Sequence, residues 1–180
     1  MELKTLETKR TRLRRIQLSD YDNMRILETE ADIMKFTPSR IPQTELQTKT
    51  RLSTQISRTL ELAPFGIWLS ELKETGAFIG WFMLMPALDE GLELGFMIVK
   101  AQWKNGFASE IAQKLVALGF SGTKVKAIFA KTNVDNVASI RVLQKLGFEF
   151  EAQISVPELV FGGEAVLNSY CLTNPNHKNK

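Results

Sequence analysis

Residues 103–110 have the composition of a loop that can hold a phosphate group. They follow an apolar run at residues 92–99 and lead into a helical pattern at residues 108–120. Gly106 has no Cβ and lets an anion approach the backbone closely. The first N–H groups of a helix carry partial positive charge, which suits a phosphate or a diphosphate. On its own the segment is a weak indication, since many α/β proteins have this junction without a ligand.

A second polar segment lies at residues 133–139, which read Asn-Val-Asp-Asn-Val-Ala-Ser. Asn136 is a favourable N-cap, and Gly147 is placed to end the following helix in a left-handed turn. Apolar side chains between them recur every three or four residues, as on one face of a helix. The pattern predicts a helix over residues 136–146, and this helix needs no ligand to account for it.

The two segments, in the order loop, helix, strand, Asn-x-x-Asn-x-x-Ser, helix and Leu-Gly-Phe, resemble the GCN5-related N-acetyltransferases (GNAT family). The likeness is to the branch of ribosomal-protein-alanine N-acetyltransferases (RimJ/RimL-like). Residues 8–15 resemble the opening Thr-x-Arg-Leu-x-Leu-Arg strand of that branch, and residues 65–69, 78–82 and 92–98 resemble its three central strands. The resemblance covers residues 8–172.

The resemblance implies an α/β (α+β) fold with a central mixed, mostly antiparallel sheet of about seven strands flanked by about four helices. The family's fourth strand, here residues 92–99, would bulge near Gly95 and splay from its neighbour. Composition agrees with one domain, because 180 residues with 44% hydrophobic content can bury a core. We expect a single domain over residues 1–172 and a polar tail over residues 173–180.

Periodicity predicts the same order of elements. Ser19 and Asp20 would cap a first helix that runs to Ala31, and a helix over residues 43–62 would lie on the surface as part of a substrate lid. Strands are predicted at residues 8–15, 65–71, 77–85, 91–99, 125–131, 148–156 and 164–172, with hairpin turns at residues 73–76 and 89–91.

The resemblance also implies that acetyl-CoA is the co-substrate and that no metal takes part. The main chain of residues 96–98 would pair with the pantetheine arm as an added strand, and the diphosphate would rest on the N–H groups of residues 104–109. Asn136 and Ser139 would face the other side of the arm. The expected cofactor-binding residues are Phe96, Met97, Ile98, Trp103, Lys104, Asn105, Gly106, Phe107, Ala108, Ser109, Asn136 and Ser139.

Three positions depart from the family pattern. Lys104 replaces the first glycine of the phosphate loop, so its ammonium could pair with a phosphate. Leu143 stands where many acetyltransferases of the family have a tyrosine that protonates the leaving thiolate, and Ser139 is the replacement we expect. Val166 stands in place of an acidic residue of the branch.

Acetyl transfer to an amine needs a polarised thioester carbonyl and a base that removes the ammonium proton. We expect a main-chain N–H near Phe96 or Met97 to polarise the carbonyl and Glu93 to be the base, directly or through water. Asp89 and Glu90 would add negative potential that attracts a cationic amine. Alternatively, Glu93 is only one of three acidic residues in a solvated turn. Weaker candidates for the base are Glu71 and Glu158.

Phe36, followed by Thr37 and Pro38, lies where the resembled family contacts its acceptor. The acceptor could be a protein N-terminus, a polyamine, an amino-sugar antibiotic or another small amine.

Two other functions stay open. The missing tyrosine favours an acetyl-CoA sensor or interaction module without turnover, while a dinucleotide site is disfavoured because Gly-x-Gly-x-x-Gly is absent. The closing strands could supply the edge of a homodimer.

Composition and charge exclude several other classes. The single histidine, His177, allows neither a Ser-His-Asp triad nor a histidine-based metal site, and the single cysteine, Cys171, is expected in a buried strand of a cytoplasmic protein. No stretch approaches the roughly 20 apolar residues that a membrane span needs.

Net charge is +3. A basic cluster near the start favours a solvated strand edge over a nucleic-acid-binding arm, and three later lysines could attract phosphates. The cluster is Lys4, Lys9, Arg10, Arg12, Arg14 and Arg15, and the lysines are Lys124, Lys126 and Lys131.

Overall fold

The structure of the protein is a computed structural model that describes residues 5–37, 39–87, 91–121, 124–156 and 165–175. Within these ranges the chain forms eight strands and five α-helices, and the predicted mixed α/β fold is confirmed. The strands are β1 (Leu6–Glu7), β2 (Thr11–Arg15), β3 (Gly66–Leu72), β4 (Phe78–Pro86), β5 (Leu92–Ile98), β6 (Ala127–Asn133), β7 (Glu149–Val156) and β8 (Ala165–Thr173). The helices are α1 (Tyr21–Thr29), α2 (Ala31–Met34), α3 (Glu45–Glu61), α4 (Phe107–Phe120) and α5 (Val137–Lys145).

All eight described strands form one sheet in the order β1-β2-β3-β4-β5-β6-β8-β7. The β5–β6 pair is parallel and the other six neighbouring pairs are antiparallel. The eighth strand is β1, which lies before the opening strand predicted at residues 8–15 and is separated from β2 by a turn. At this turn the Thr8 N–H donates to the Thr11 carbonyl (3.0 Å), so β2 begins only at Thr11.

The two central strands β5 and β6 separate soon after they meet. They pair only at Leu92 with Ile128 and at Glu93 with Phe129, and the gap beyond these pairs is called the splay below. The predicted splay is therefore present. The bulge predicted near Gly95 is wrong for the β4–β5 ladder, which runs without a register shift. A Cβ at Gly95 would lie 2.7 Å from the end of the Met83 side chain, and this close approach explains the glycine.

The sheet has a core on each face. On one face, α4 packs its Ile111 and Leu115 against Leu94 and Ile128 of the sheet. On the other face, α3 packs against β3 and α1 packs against α3 and β4, and buried apolar residues such as Leu52 fill this cluster. Strand alternation separates the two clusters, as expected for a sheet covered on both faces.

The predicted first helix is preceded by a short turn and interrupted once. A 3-10 turn at Leu18–Asp20 precedes α1, and extended backbone at Glu30 separates α1 from α2. The prediction that Asp20 caps the first helix with its side chain is wrong, because its carboxylate binds Arg14 instead. The predicted second helix is α3, whose start is fixed by a capping box between Thr44 and Gln47.

The N-terminal basic cluster is not merely a solvated strand edge. Arg14 donates to both oxygens of the buried Asp20 carboxylate (2.9 and 2.7 Å) and also binds Glu71. Its hydrogen bonds to Asp20 raise the pKa of Arg14 despite burial. Arg15 lies 4.1 Å over the Trp68 ring, and burial lowers the pKa of its guanidinium to about 10. The prediction was wrong for both arginines, since each forms tertiary contacts; Lys4 lies outside the described residues.

The C-terminal strands extend slightly beyond the predicted boundary. β8 continues through Thr173, and the buried Asn174 amide donates to the Val125 carbonyl (2.8 Å). Cys171 is half-buried rather than buried, and burial, followed by the charge of Glu151, raises the pKa of its thiol. His177 lies outside the described residues. That the chain forms a single domain stays a prediction.

Candidate functional site

A cavity of about 530 Å³ opens at the splay. It is bounded by the end of β5, the loop before α4, the end of β6 and the first turns of α5, with α2 at its far side. The predicted site residues that line this cavity are Phe36, Phe96, Met97, Ile98, Trp103, Lys104, Gly106, Phe107, Ala108, Ser109, Asn136 and Ser139. Two predicted residues, Asn105 and Glu93, are not among the lining residues that the structure describes.

The main chain of β5 presents alternate residues to the splay. The Val99 N–H donates to the Ile79 carbonyl (2.9 Å), and the register is continuous from there along β4. Because hydrogen-bonded and non-hydrogen-bonded pairs alternate, Met97 bonds to β4, whereas Phe96 and Ile98 direct their main-chain groups toward the splay. The main-chain groups of Met97 therefore pair with β4 and are not part of the open edge, although the residue lines the cavity.

One of these main-chain groups already has a partner. The Trp103 indole N–H donates to the Ile98 carbonyl (2.8 Å), which ties the phosphate loop to the end of β5. The N–H and C=O of Phe96 and the N–H of Ile98 then form the edge that an extended ligand would meet. Trp103 thus acts on the shape of the site.

The loop before α4 has two left-handed residues. Lys104 has φ 62° and Gly106 has φ 81°. For a lysine this conformation costs roughly 1–2 kcal/mol, so Lys104 has a backbone conformation that favours glycine. The first bond of the helix runs from the Glu110 N–H to the Gly106 carbonyl (3.1 Å). The N–H groups of residues 107–109 precede that bond and point out of the helix N-terminus, as a phosphate site requires.

Arg10 clamps this loop from the start of the chain. Its Nε donates to the Glu110 carboxylate (2.7 Å), its Nη2 donates to the Asn105 carbonyl (3.0 Å), and its guanidinium lies 4.2 Å over the Phe107 ring. Thr8 also donates to Glu110 (2.6 Å). Sequence reasoning missed the clamp because its partners lie about a hundred positions apart and no local pattern links them.

The clamp also sets the charge of Glu110. Burial acts to raise the pKa of the Glu110 carboxyl, but hydrogen bonds from Thr8 and Arg10, together with the arginine charge, outweigh it and leave the pKa lowered. Glu110 is therefore a carboxylate in the first turn of α4, where it also complements the helix dipole.

The start of α5 forms the opposite wall. The Asn136 side chain accepts from the Ser139 N–H (3.1 Å), so Asn136 is the N-cap that the sequence predicted. Both side chains line the cavity. Leu143, in contrast, is 2% exposed within the core, so the position of the family's tyrosine faces away from the cavity here.

Glu93 lies beside the cavity rather than in it. Its carboxylate accepts from the Lys131 ammonium (2.8 Å), and Lys131 itself lines the cavity. Glu93 also borders a second space of about 280 Å³ that Gln55 and Arg58 of α3 help to line. The residue belongs to β5, and its carboxylate is ion-paired rather than part of a solvated turn.

The other acidic candidates differ in their accessibility. Glu71, a weaker candidate for the base, is held by two hydrogen bonds from Arg14 (3.0 and 2.8 Å) and is therefore committed elsewhere. Asp89, Glu90 and Glu158 lie outside the described residues.

The described lining of the cavity carries three cations and no carboxylate. The cations are Lys104, Lys131 and Arg141. Sequence reasoning gave Lys131 only a general attraction for phosphates and missed Arg141, whose signal is its position two residues after Ser139 on α5. A cationic cleft with a helix N-terminus and an open strand edge fits a phosphate-bearing ligand with an amide-rich arm, which is the chemistry of acetyl-CoA.

The sequence profile of the Acetyltransferase (GNAT) domain matches residues 10–149. The chain belongs to this family. No helix in the described part of the chain is long and apolar enough to cross a membrane.

Two of three bacterial relatives described here carry N-acetyltransferase names. The chain is 30% identical to the uncharacterized N-acetyltransferase p20 of Bacillus licheniformis, over 83% of this chain and 84% of that protein. It is 34% identical to the uncharacterized N-acetyltransferase YoaA of Bacillus subtilis (strain 168), over 60% of this chain and 62% of that protein. A third relative, the uncharacterized protein YkkB of the same strain, is 33% identical over 49% of this chain and 53% of its own length. The matches thus span less than two thirds of YoaA and YkkB.

Solved structures share the fold at lower identity. A GNAT-family acetyltransferase from Bacillus anthracis superposes with a TM-score of 0.81 at 20% identity, covering 95% of this chain and 99% of that one. RimL, a ribosomal L7/L12 alpha-N-protein acetyltransferase in complex with coenzyme A, superposes with a TM-score of 0.78 at 16% identity. The superposition covers 94% of this chain and 98% of that one. Spermidine N-acetyltransferase from Vibrio cholerae, in complex with CoA and spermine, superposes with a TM-score of 0.74 at 15% identity, covering 94% of this chain and 98% of that one.

Proposed function

We propose that the protein is an acetyl-CoA-dependent N-acetyltransferase that transfers the acetyl group to a primary amine by direct attack in a ternary complex. The observation that carries the proposal is the continuous cavity from the N-terminus of α4 to the open edge of β5. One end supplies N–H donors and cations for phosphates, and the other supplies a strand edge for an amide arm.

The proposed binding mode follows from these surfaces. The diphosphate rests on the N–H groups of residues 107–109, with the Lys104 ammonium beside it. The pantetheine arm extends along β5 and pairs with the main chain of Phe96 and Ile98. Asn136 and Ser139 approach the arm from α5. Asn105 contributes through the loop backbone that Arg10 holds.

The proposed chemistry uses few side chains, because positioning supplies much of the rate enhancement. The Phe96 N–H polarises the thioester carbonyl and stabilises the oxyanion that forms on attack. Glu93 removes the proton of the acceptor ammonium through a water molecule, which its place beside the cavity favours. The Ser139 hydroxyl donates a hydrogen bond to the departing sulfur.

The acceptor is a protein N-terminus or a small amine such as a polyamine. RimL acts on a ribosomal protein, and the Vibrio cholerae structure contains spermine, so the fold accommodates both classes. In this chain, Phe36 lines the far side of the cavity with Ile33 and Thr37, and we assign these residues to acceptor contact.

The cellular setting is an expectation of the same kind. We expect the enzyme to work in the cytoplasm without direct contact with nucleic acid or membrane. A homodimer would form through the sheet edge at β7, where Phe150 is 55% exposed.

Leu143 favours one alternative function. Because this side chain is buried and cannot donate a proton, the chain could bind acetyl-CoA as a sensor or interaction module without turnover. The two functions predict the same binding and differ only in acetyl transfer to an amine.

The binding proposal is tested by calorimetric titration of acetyl-CoA into Gly106→Val and its matched control Gly76→Val. Both glycines have positive φ, 81° and 71°, so both variants strain the backbone similarly, but Gly76 lies in a turn away from the cavity. We expect at least a ten-fold loss of affinity for Gly106→Val alone. Equal affinities would contradict the proposed phosphate site. A thiol-release assay with N-terminal peptides, polyamines and aminoglycosides then separates the enzyme from the sensor.

A further inference from the structure

The ion pair between Lys131 and Glu93 stands at the closed end of the splay. Glu93 pairs with Phe129 in parallel register, so Lys131, two residues further along β6, lies level with Gly95 of β5. Its ammonium reaches back to the Glu93 carboxylate (2.8 Å), while its side chain lines the cavity. One cation therefore contacts both the candidate base and the space for the cofactor.

The reacting end of acetyl-CoA would arrive at this level of the splay. An arm held at the N-terminus of α4 enters from the open end, beside Ile98, and extends toward the point where β5 and β6 meet. Phe96 is only one residue, about 3.3 Å along the strand, from the level of Lys131. The Phe96 N–H that is proposed to polarise the carbonyl and the backbone of Lys131 thus lie at neighbouring levels on the two walls, and the Lys131 side chain extends from there to Glu93.

The leaving thiolate needs a proton or a nearby positive charge. Leu143 cannot supply either from the core, and a serine hydroxyl such as that of Ser139 is a very weak acid. The ordinary pKa of a lysine ammonium, about 10.4, is only about two units above that of a thiol, about 8.5. Proton transfer from lysine to a thiolate is therefore modestly uphill, and until the proton moves the ammonium stabilises the departing thiolate by charge attraction.

We propose that Lys131 is the catalytic acid of the transfer and forms a coupled acid–base pair with Glu93. The inference rests on the proposed function. As the amine nitrogen bonds to the acetyl carbon, the C–S bond breaks, and the Lys131 ammonium gives its proton to the CoA sulfur. Glu93 first passes the proton of the acceptor ammonium through water to the solvent, so that it is again a carboxylate when the neutral amine attacks. It then takes the second proton, which the nitrogen loses as the amide forms, and passes it to the neutral Lys131 amine, which restores the ion pair. Overall, the ammonium and acetyl-CoA give the amide, CoA with a protonated thiol and one proton released to the solvent.

In the described part of the chain, the charged groups that contact Lys131 or share its cavity are Glu93, Lys104 and Arg141. Glu93 faces it from β5, and Ser169 lies opposite it on β8, where the serine hydroxyl contacts the Glu151 carboxylate of β7 (3.4 Å). Lys104 and Arg141 share the cavity lining. Because all three cavity cations attract a thiolate, the test must separate Lys131 from a general positive field.

The test measures the thiol pKa of bound CoA by the ultraviolet absorbance of its thiolate, in wild-type protein, Lys131→Gln, Lys131→Arg and the control Lys104→Gln. Desulfo-CoA, which lacks the sulfur, reports binding that does not depend on the thiol. We expect the bound thiol pKa to be at least one unit higher in Lys131→Gln than in wild type, a ten-fold change in the thiolate equilibrium. Lys104→Gln should weaken both ligands and shift this pKa less.

Lys131→Arg separates charge from acidity, since a guanidinium keeps the ion pair but cannot give up its proton. We expect it to retain the low thiol pKa and to lose most of kcat, at least ten-fold. An unchanged thiol pKa in Lys131→Gln, or full turnover by Lys131→Arg, would overturn the role of Lys131. Failure of folded wild-type protein to bind either ligand would instead overturn the proposed function on which the inference rests.

Discussion

At the scale of single residues, the site depends on side chains whose partners are distant in sequence. Glu110 shows this most clearly. Its carboxylate accepts hydrogen bonds from the Thr8 hydroxyl and from the main-chain N–H and Nε of Arg10, and these bonds fix the start of α4. No pattern around residue 110 predicts those partners. The capping of α5 by Asn136, in contrast, was readable from sequence because donor and acceptor are three positions apart.

Glu110→Gln should destabilise the protein at neutral pH by about 1–3 kcal/mol, since it removes charge-assisted hydrogen bonds. The folded pKa of Glu110 is lowered, so its stabilisation is present above the unfolded pKa of about 4.3 and is lost as pH falls through the folded value. Urea denaturation from pH 7 to pH 3 should therefore show the wild-type advantage shrinking below about pH 4. The exposed turn residue Glu74 gives the control, Glu74→Gln; an advantage independent of pH would contradict the account.

Lys104 combines an unfavourable backbone with a favourable charge. Lys104→Gly should relieve the left-handed strain, so it should be about 1 kcal/mol more stable than Lys104→Gln in chemical denaturation. Both variants should bind acetyl-CoA several-fold more weakly than wild type, with a smaller loss at high salt because the missing contact is electrostatic. Equal stability of the two variants would show that φ 62° carries no strain here.

At the scale of elements, the strand pattern was largely predictable and its pairings were not. Strands β3, β4 and β5 lie within one residue of their predicted bounds, because alternating and continuous apolar runs end at clear turn signals. The break between β1 and β2 and the interruption at Glu30 depend on hydrogen bonds within a few residues that hydrophobic periodicity does not report, whereas the regular β4–β5 ladder depends on the pairing of two strands.

The alternation along β5 makes a prediction about individual amides. Hydrogen exchange measured by NMR should find the Met97 amide protected in the free protein, since it bonds to β4, and the Phe96 and Ile98 amides less protected. Saturating CoA should protect Phe96 and Ile98 selectively. Protection of all three amides before ligand is added would contradict an open edge.

Arg14 joins three elements, β2, the turn before α1 and β3, through Asp20 and Glu71. Arg14→Gln should cost about 3–5 kcal/mol, because it leaves the buried Asp20 carboxylate without its ion pair. Arg12→Gln is the matched control, because Arg12 is largely exposed and forms a single long ion pair with Glu7 (3.5 Å). This substitution should cost less than about 1 kcal/mol. Similar midpoints in urea for the two variants would contradict the structural role given to Arg14.

At the scale of the whole molecule, the splay divides the sheet into two halves that a ligand would bridge. β1 to β5 form one half and β6 to β8 the other, and they are joined by two residue pairs between β5 and β6. The family and the general fold followed from motif order in the sequence. The Lys131–Glu93 pair did not, because it needs the exact register of two strands that are far apart in the chain.

Ligand binding across the splay should raise the melting temperature. At a free acetyl-CoA concentration of 100 times Kd, the stabilisation is about 2.7 kcal/mol, which corresponds to a rise of roughly 5–10 °C for a chain of this length. Differential scanning fluorimetry measures the rise. With a ten-fold weaker affinity, the Gly106→Val variant should show about half of it at the same concentration, or less if the loss of affinity is larger. A wild-type melting temperature that acetyl-CoA leaves unchanged would contradict binding at this site.

The central claim is that the protein transfers the acetyl group of acetyl-CoA, bound in the cavity, to an amine. The most direct measurement incubates the protein with acetyl-CoA carrying an isotope-labelled acetyl group and a panel of N-terminal peptides, polyamines and aminoglycosides, and quantifies products by mass spectrometry. We predict that one acceptor class gains the label on its amine in equal amount to the CoA formed. Tight binding of acetyl-CoA with no labelled amine in any class would contradict the account and leave the chain a binding protein.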